Sequence, residues 1–195
     1  MLGQLASLYP ALFGAVFLPL KRGIFQDLVA AHPELESEAL KTALAFHTRS
    51  TRYLQSVAAG MERHDLQGQP VEDMAPEHVH HALLEVFRRR QGRGGDDQQA
   101  KLRSRIVQAF EASGLSAEAY GTLVRSRDEA VNVVLDEAMA EASARAAKDE
   151  ALLRAFEASG QAVEAFADMY GLDPRSATQT LERARRRRPA PAPAA

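Results

Sequence analysis

The chain has 195 residues, 46% of them apolar and 26% charged, and a formal net charge of −2. This balance is ordinary for a soluble globular protein, and the length suits one domain with an appendage or two small domains. There is no cysteine, which excludes disulfides, thiolate catalysis and cysteine-ligated metal sites and is compatible with a reducing compartment.

Residues 1–18, "MLGQLASLYPALFGAVFL", carry no charge. An export signal needs cations before its apolar stretch, whereas Lys21 and Arg22 follow this one. Pro10 and Pro19 interrupt the run, and it falls short of the roughly 20 apolar residues of a membrane helix. It is expected to be buried core in a cytoplasmic protein with no membrane partner. Leu2, Leu5 and Leu8 have helical spacing up to Pro10. "IFQDLVAAH" after Gly23 reads as a short helix that Pro33 ends.

The longest periodic segment runs from about Ser37 to Val57, with Leu40, Leu44 and Leu54 as its apolar stripe. Lys41, Ala45, Thr48 and Arg52 lie on an adjacent stripe at the same spacing. "RHDLQGQPVE" at 63–72 reads as a β-hairpin turning near Gly68. A helix is expected to start at Pro76 and to bury Val79, Leu83, Val86 and Phe87.

"RRRQGRGGDDQQ" at 88–99 has glycines and polar residues but nothing apolar, the composition of a flexible linker. It divides a first domain, 1–90, from a helical domain, 100–188, with the linker at 91–99. The terminal "PAPAPAA", 189–195, reads as a disordered tail.

The helical part contains a duplication. "AFEASG" occurs at 109–114 and again at 155–160. In the same register Glu118 matches Glu164, Leu135 matches Leu181, Ala138 matches Ala184, and Tyr120 meets Phe166. The copies span 106–138 and 152–184. Each reads as helix, glycine stop, short helix, turn, helix, and the two are expected to pack into one all-α domain. The predicted fold class is therefore mainly α with a small β-hairpin, followed by an all-α duplicated unit.

No nucleophile–base motif or glycine-rich phosphate loop is present, so an enzyme and a cofactor are not expected. "EHVHH" at 77–81 places Glu77, His78 and His81 within helical reach of one another, but no further ligand is evident and no metal is expected. Between Lys41 and Arg63 the cations Lys41, Arg49, Arg52 and Arg63 are opposed only by Glu62, and Arg185 to Arg188 form a second basic run. Such patches attract phosphate even on a near-neutral chain, although charge alone also describes a solvated helix face.

The segments "LYP", "PLKRGIFQDL", "LKTAL", "TRSTRYL" and "GMERHDLQGQPVEDMAPEHVHHA" resemble, in order and spacing, the RNA-binding domain of the bacterial FinO/ProQ family of RNA chaperones. The resemblance covers roughly residues 2–90. It implies a mostly helical domain with a small hairpin. It also implies binding of structured RNA with a short single-stranded 3′ end, such as small RNAs and the terminators of mRNAs, in post-transcriptional regulation.

By the same resemblance Arg52 and Tyr53 flank the pocket that receives the RNA 3′ end, Arg63 lies near it, and Lys21 and Lys41 occupy basic positions on the same face. The chemistry of the residues agrees. A-form RNA is gripped by its phosphates and 2′-hydroxyls and discriminated at single-stranded ends. Arg49, Arg52 and Lys41 suit phosphates, Thr48 and Ser50 suit phosphate or 2′-hydroxyl oxygens, and Tyr53 suits a terminal base or ribose. The other reading of Tyr53 is a core aromatic beside Leu54. "ELESEAL" at 34–40 is acidic where relatives often carry lysine, and Ala45 stands where a relative can have arginine.

Two alternatives concern the C-terminal part. Segment 163–184 has the spacing of a helix-turn-helix with a basic last helix, which suits DNA, with Arg185, Arg186, Arg187 and Arg188 as auxiliary nucleic-acid contacts. The duplicated helices also suit a protein partner.

Overall fold

The computed structural model describes residues 1–90 and 96–188, so the expected tail at 189–195 and most of the expected linker, 91–95, lie outside the described residues. The chain divides into two compact units, Met1–Ala138 and Met139–Ala195. The described residues are mainly helical with one two-stranded antiparallel hairpin, as the sequence predicts.

The first unit opens with α1 (Leu2–Leu8) and α2 (Pro10–Phe13). Pro10 is the first residue of α2, where a missing N–H leaves no bond unmade. Leu5, Leu12 and Phe13 are buried, whereas Leu8 and Val16 are 46% and 63% exposed, so the apolar N-terminal run is core only in part. α3 (Ile24–Ala31) follows Gly23, whose φ of +82° suits glycine, and ends just before Pro33. The Glu36 carboxylate caps α4 (Ser37–Thr48) by accepting the N–H groups of Glu38 and Ala39. These bonds hold its pKa below the ordinary carboxylate value.

The segment expected as one helix from 37 to 57 is two. The chain breaks at Arg49 and Ser50, and α5 (Thr51–Ala58) restarts in a new direction. Ser50 is extended, with φ −67° and ψ 147°, and its Oγ accepts the Tyr53 N–H at 3.2 Å. A serine that caps a new helix competes with continuation of the old one, which the apolar stripe alone does not reveal. Arg52 therefore does not continue the stripe of Lys41, Ala45 and Thr48.

β1 (Arg63–His64) pairs with β2 (Pro70–Glu72), and Gly68 turns between them with φ +74°. α6 (Pro76–Arg90) starts at the expected proline and packs most extensively on α5. Val79, Leu83 and Val86 are buried along it.

The sequence-based boundary at 90 differs from the structural one. α7 (Asp96–Ser113) takes up positions 96–99, and it packs on α6 together with α8 (Ala117–Val124). Leu102, Ile106, Val107 and Tyr120 are buried there, and the Tyr120 ring meets His80 of α6 edge-on at 6.0 Å. The first copy of the duplication thus belongs to the first unit. Apolar faces with helical period on both sides of a polar stretch can pack together, whatever the composition between them.

The second unit contains the later part of α9 (Glu129–Ser159), then α10 (Val163–Met169) and α11 (Pro174–Arg187). Its core gathers Leu153, Leu181 and Ala184 with Leu152, Phe156 and Val163. The two copies share local structure. Gly114 and Gly160 stop their helices with φ of +66° and +63°. Phe110 meets Tyr120 at 5.4 Å, and Phe156 meets Phe166 at 5.2 Å, both edge-on. In the first copy a further ring on Tyr120 comes from α6, as His80. In the second, Tyr170 of the copy itself lies 4.6 Å from Phe166. The second copy thus covers its aromatic core with its own residue.

Candidate nucleic-acid interface

Residues 19–22 are tied down by β1 and α5. Leu20 bridges to His64 of β1, flanked by bonds from the His64 N–H to the Pro19 carbonyl and from the Lys21 N–H to the His64 carbonyl. The Leu20 N–H donates to the Tyr53 hydroxyl at 3.0 Å, and Arg63 Nη1 donates to the Leu20 carbonyl at 3.0 Å. Tyr53 on α5 and Arg63 on β1, two of the three positions expected near the RNA 3′ end, therefore converge on one residue of the PLK segment, whereas Arg52, the third, lies over the Phe17 ring.

Tyr53 is 6% exposed, with its ring packed edge-on against His47 at 5.3 Å. Burial raises its pKa, so the phenol stays protonated, and that proton has no acceptor among the described residues. A ring so enclosed does not offer a face to a base. The core-aromatic reading holds for the ring, and the hydroxyl is engaged by the Leu20 N–H. Arg63 also reaches His78, with Nη2 3.1 Å from Nδ1, and lies 3.7 Å from Glu72. His78 thus faces Arg63, while His80 is buried and His81 is exposed, and no group of three His, Asp or Glu able to hold a metal occurs among the described residues.

The expected cations fall into two sets. Lys21 is held by Asp27 at 2.7 Å, a bond that raises its pKa. Lys41 is held by Glu38 at 2.6 Å and lies over the Phe25 ring at 5.6 Å. Arg22 bonds Glu72 through both its backbone N–H and its Nε, which holds the Glu72 pKa below its ordinary value. These exposed pairs are weak and open to competition from phosphate.

The second set has no carboxylate partner among the described residues. Arg49 is exposed at the end of α4. Arg52 is exposed on α5 with its guanidinium 4.9 Å from the Phe17 ring centre. Arg89, near the end of α6, donates to the Arg49 carbonyl at 2.8 Å and to the Thr51 hydroxyl at 3.0 Å. Arg89 joins the corner made by the break between α4 and α5, and its charge offsets the negative pole at the end of α4. Thr48 and Ser50 serve the backbone at this corner, as donor to the Leu44 carbonyl and as helix cap.

Sequence reasoning missed Arg89, because its neighbours have linker composition. Extending the helical period of Val79, Leu83 and Phe87 by one turn would have placed it on a helix. It also missed Phe46, which is off the apolar stripe and 71% exposed.

The basic run at the C-terminus is differently placed. Arg187 Nη1 lies 2.7 Å from Asp149, which also accepts two bonds from Arg183. Burial favours the neutral Asp149 acid, but the bonds from Arg183 and Arg187 outweigh it and lower its pKa. Arg188 pairs with Glu150 and Glu157, and Arg185 lies over the Phe156 ring at 5.6 Å. Most of the run is therefore engaged inside the second unit, although Arg186 has no partner among the described residues. The helix-turn-helix spacing is realised as α10, a turn at Gly171 with φ +64°, and α11. Its cations Arg183, Arg187 and Arg188 already hold carboxylates.

The first unit is thus a helical body with one short hairpin, carrying a buried tyrosine bonded to a lysine-bearing loop and a corner of arginines with no carboxylate partner among the described residues. The profile of the ProQ/FINO family matches residues 1–99, and the chain belongs to that family. It is also similar to the RNA chaperone ProQ of Shewanella oneidensis, 46% identical over 67 residues. That match spans 33% of this chain and 32% of the relative, about a third of each. Among the described residues no helix is long and apolar enough to cross a membrane.

Proposed function

We propose that this protein is a bacterial RNA chaperone of the cytoplasm. Its first unit binds structured RNA hairpins that end in a short single-stranded 3′ tail, such as small RNAs and the terminators of mRNAs. The observation that carries the reading is the arginine corner of Arg49, Arg52 and Arg89, free of carboxylates among the described residues and continuous in sequence with the Tyr53–Leu20–Arg63 cluster. Membership of the ProQ/FINO family and the likeness to a protein named RNA chaperone ProQ support it.

In this reading the arginines hold phosphates of the hairpin. Lys21 and Lys41 exchange Asp27 and Glu38 for phosphate as the RNA docks. The Tyr53 hydroxyl and the Arg63 guanidinium meet the terminal ribose, whose free hydroxyls match an O–H donor and a cation in shape and polarity. No catalytic role is assigned to any residue. The test is a binding titration of the full chain with a terminator-like RNA hairpin and with a DNA duplex of equal length. The account expects tight, salt-sensitive binding of the RNA and much weaker binding of the DNA. Equal affinity for the two would overturn it.

A further inference from the structure

We propose that Phe46 is a stacking platform for an unpaired RNA base, a role that rests on the RNA-binding reading and extends it to a second point on the RNA. Phe46 is the most exposed large apolar side chain among the described residues, at 71%. The chain's other ring pairs show how unusual this is: Phe13 and Phe17 pack on His47, and Phe110, Phe156 and Phe166 pack on other rings. Its neighbours are chosen for something other than an apolar partner. Thr42, Ala45, Arg49 and Ser50 line a shallow open depression with it. Ala45 is small and leaves the ring uncovered. Arg49 follows one helical turn later on the same side, exposed and without an ion pair among the described residues. Arg89 adds a second positive charge at the Arg49 carbonyl.

An exposed aromatic face beside the Arg49 guanidinium, which has no carboxylate partner among the described residues, matches a nucleotide in both parts. The ring accepts the flat face of a base, and the arginine accepts its phosphate. A base inside a duplex already has both faces covered, so the occupant is a base outside the duplex. An apolar protein partner would leave Arg49 desolvated and unpaired, which is costly, so charge complementarity selects the polyanion.

The experiment uses the full chain, which contains no tryptophan, so F46W introduces a single indole reporter. Two hairpins with the same stem and the same loop are compared, one carrying unpaired nucleotides beside the stem and one blunt. F46A is expected to lose about tenfold in affinity for the hairpin with unpaired nucleotides and less than about twofold for the blunt one, while F46Y retains full affinity. F46W fluorescence is expected to be quenched by the former RNA and unchanged by heparin, a polyanion without bases. Equal losses on both hairpins, no loss on either, or quenching by heparin would each overturn the platform. So would a dimer seen by sedimentation that F46A dissolves. If the unsubstituted chain binds neither hairpin, the RNA reading itself fails, and that result is distinct from failure of the platform.

Discussion

Tyr53 and Arg63, ten positions apart in sequence, hold opposite ends of a single residue: the tyrosine hydroxyl accepts the Leu20 N–H and the arginine donates to the Leu20 carbonyl, each at 3.0 Å. The helix α5, the strand β1 and the PLK segment are thereby locked into one arrangement. The buried ring and the hydroxyl have separable roles, and substitutions can separate them. Tyr53→Ala removes a ring that is 6% exposed and should cost about 3–5 kcal/mol of stability. Tyr53→Phe keeps the ring and leaves the Leu20 N–H unpaired, costing about 1–3 kcal/mol. The phenylalanine variant should remain folded by circular dichroism and still lose roughly tenfold in affinity for a hairpin with a free 3′ end. Unchanged affinity in a folded Tyr53→Phe would restrict Tyr53 to the core.

The split between paired and unpaired cations gives a second expectation. Replacing Arg49 and Arg89 together by Gln should flatten the dependence of log K on log salt by roughly 1–2. Lys21→Gln should change that slope less, because removing its bond to phosphate is offset in part by the Asp27 pair that no longer has to break. A larger effect from Lys21 than from the arginine pair in salt titrations would contradict the assignment of the corner.

Stability should depend on pH through two buried imidazoles. His47 and His80 are each 2% exposed, and their Nε2 atoms have no hydrogen-bond partner among the described residues. Burial lowers both pKa values to about 4, with the charge of His81 adding to the effect at His80. The unfolded chain, with imidazoles near 6.5, binds more protons between about pH 6.5 and 4. Their contribution is fully present above about pH 6.5 and is lost as pH falls through that window, by up to about 3 kcal/mol for each histidine. Urea titrations across this range should show the loss, and His47→Leu should remove about half of it. A stability that is flat from pH 7 to 4 would show that neither ring is buried as described.

Domain organisation is testable by truncation. The face of α6 that packs on α7 and α8 is uncovered in a fragment ending at Arg90 and kept in one ending at Ala138. Each large side chain re-exposed costs roughly 2 kcal/mol. With several of them, the shorter fragment should melt more than ~10 °C below the longer one. Equal melting temperatures would favour the boundary at 90 that composition suggests.

Local punctuation was the legible part of the fold. Gly68 marked the hairpin turn, Pro76 the start of α6, and Gly114 and Gly160 the helix stops, because each acts through its own backbone. The repeat was legible because a duplication is a property of sequence alone. The break at Ser50 was not, since a serine inside an apolar period reads equally as an exposed helix position. Nor were the partners of the cations. Of the pairs involving Lys21, Arg22 and Lys41, only Lys41 with Glu38 lies at helical spacing, whereas Arg22 finds Glu72 and Arg187 finds Asp149 across the fold. A count of basic residues therefore located the charge but not which of it is free. Tyr53 was picked out by resemblance, and its enclosure by His47 and Leu20 required the structure.

The central claim is that the Tyr53–Leu20–Arg63 cluster meets the 3′ end of an RNA. The most direct measurement is the affinity of the full chain for one hairpin with a short single-stranded tail, ending either in a free 3′-hydroxyl or in a 3′-phosphate. The account predicts that the phosphate weakens binding to the unsubstituted protein by about tenfold or more, as expected when a hydrogen bond at an enclosed site can no longer form. It further predicts that Tyr53→Phe binds the two RNAs almost equally, because the substitution and the phosphate remove the same interaction. If the phosphate has no effect on the unsubstituted protein, or if its effect and that of Tyr53→Phe add in full, the cluster does not read the RNA terminus.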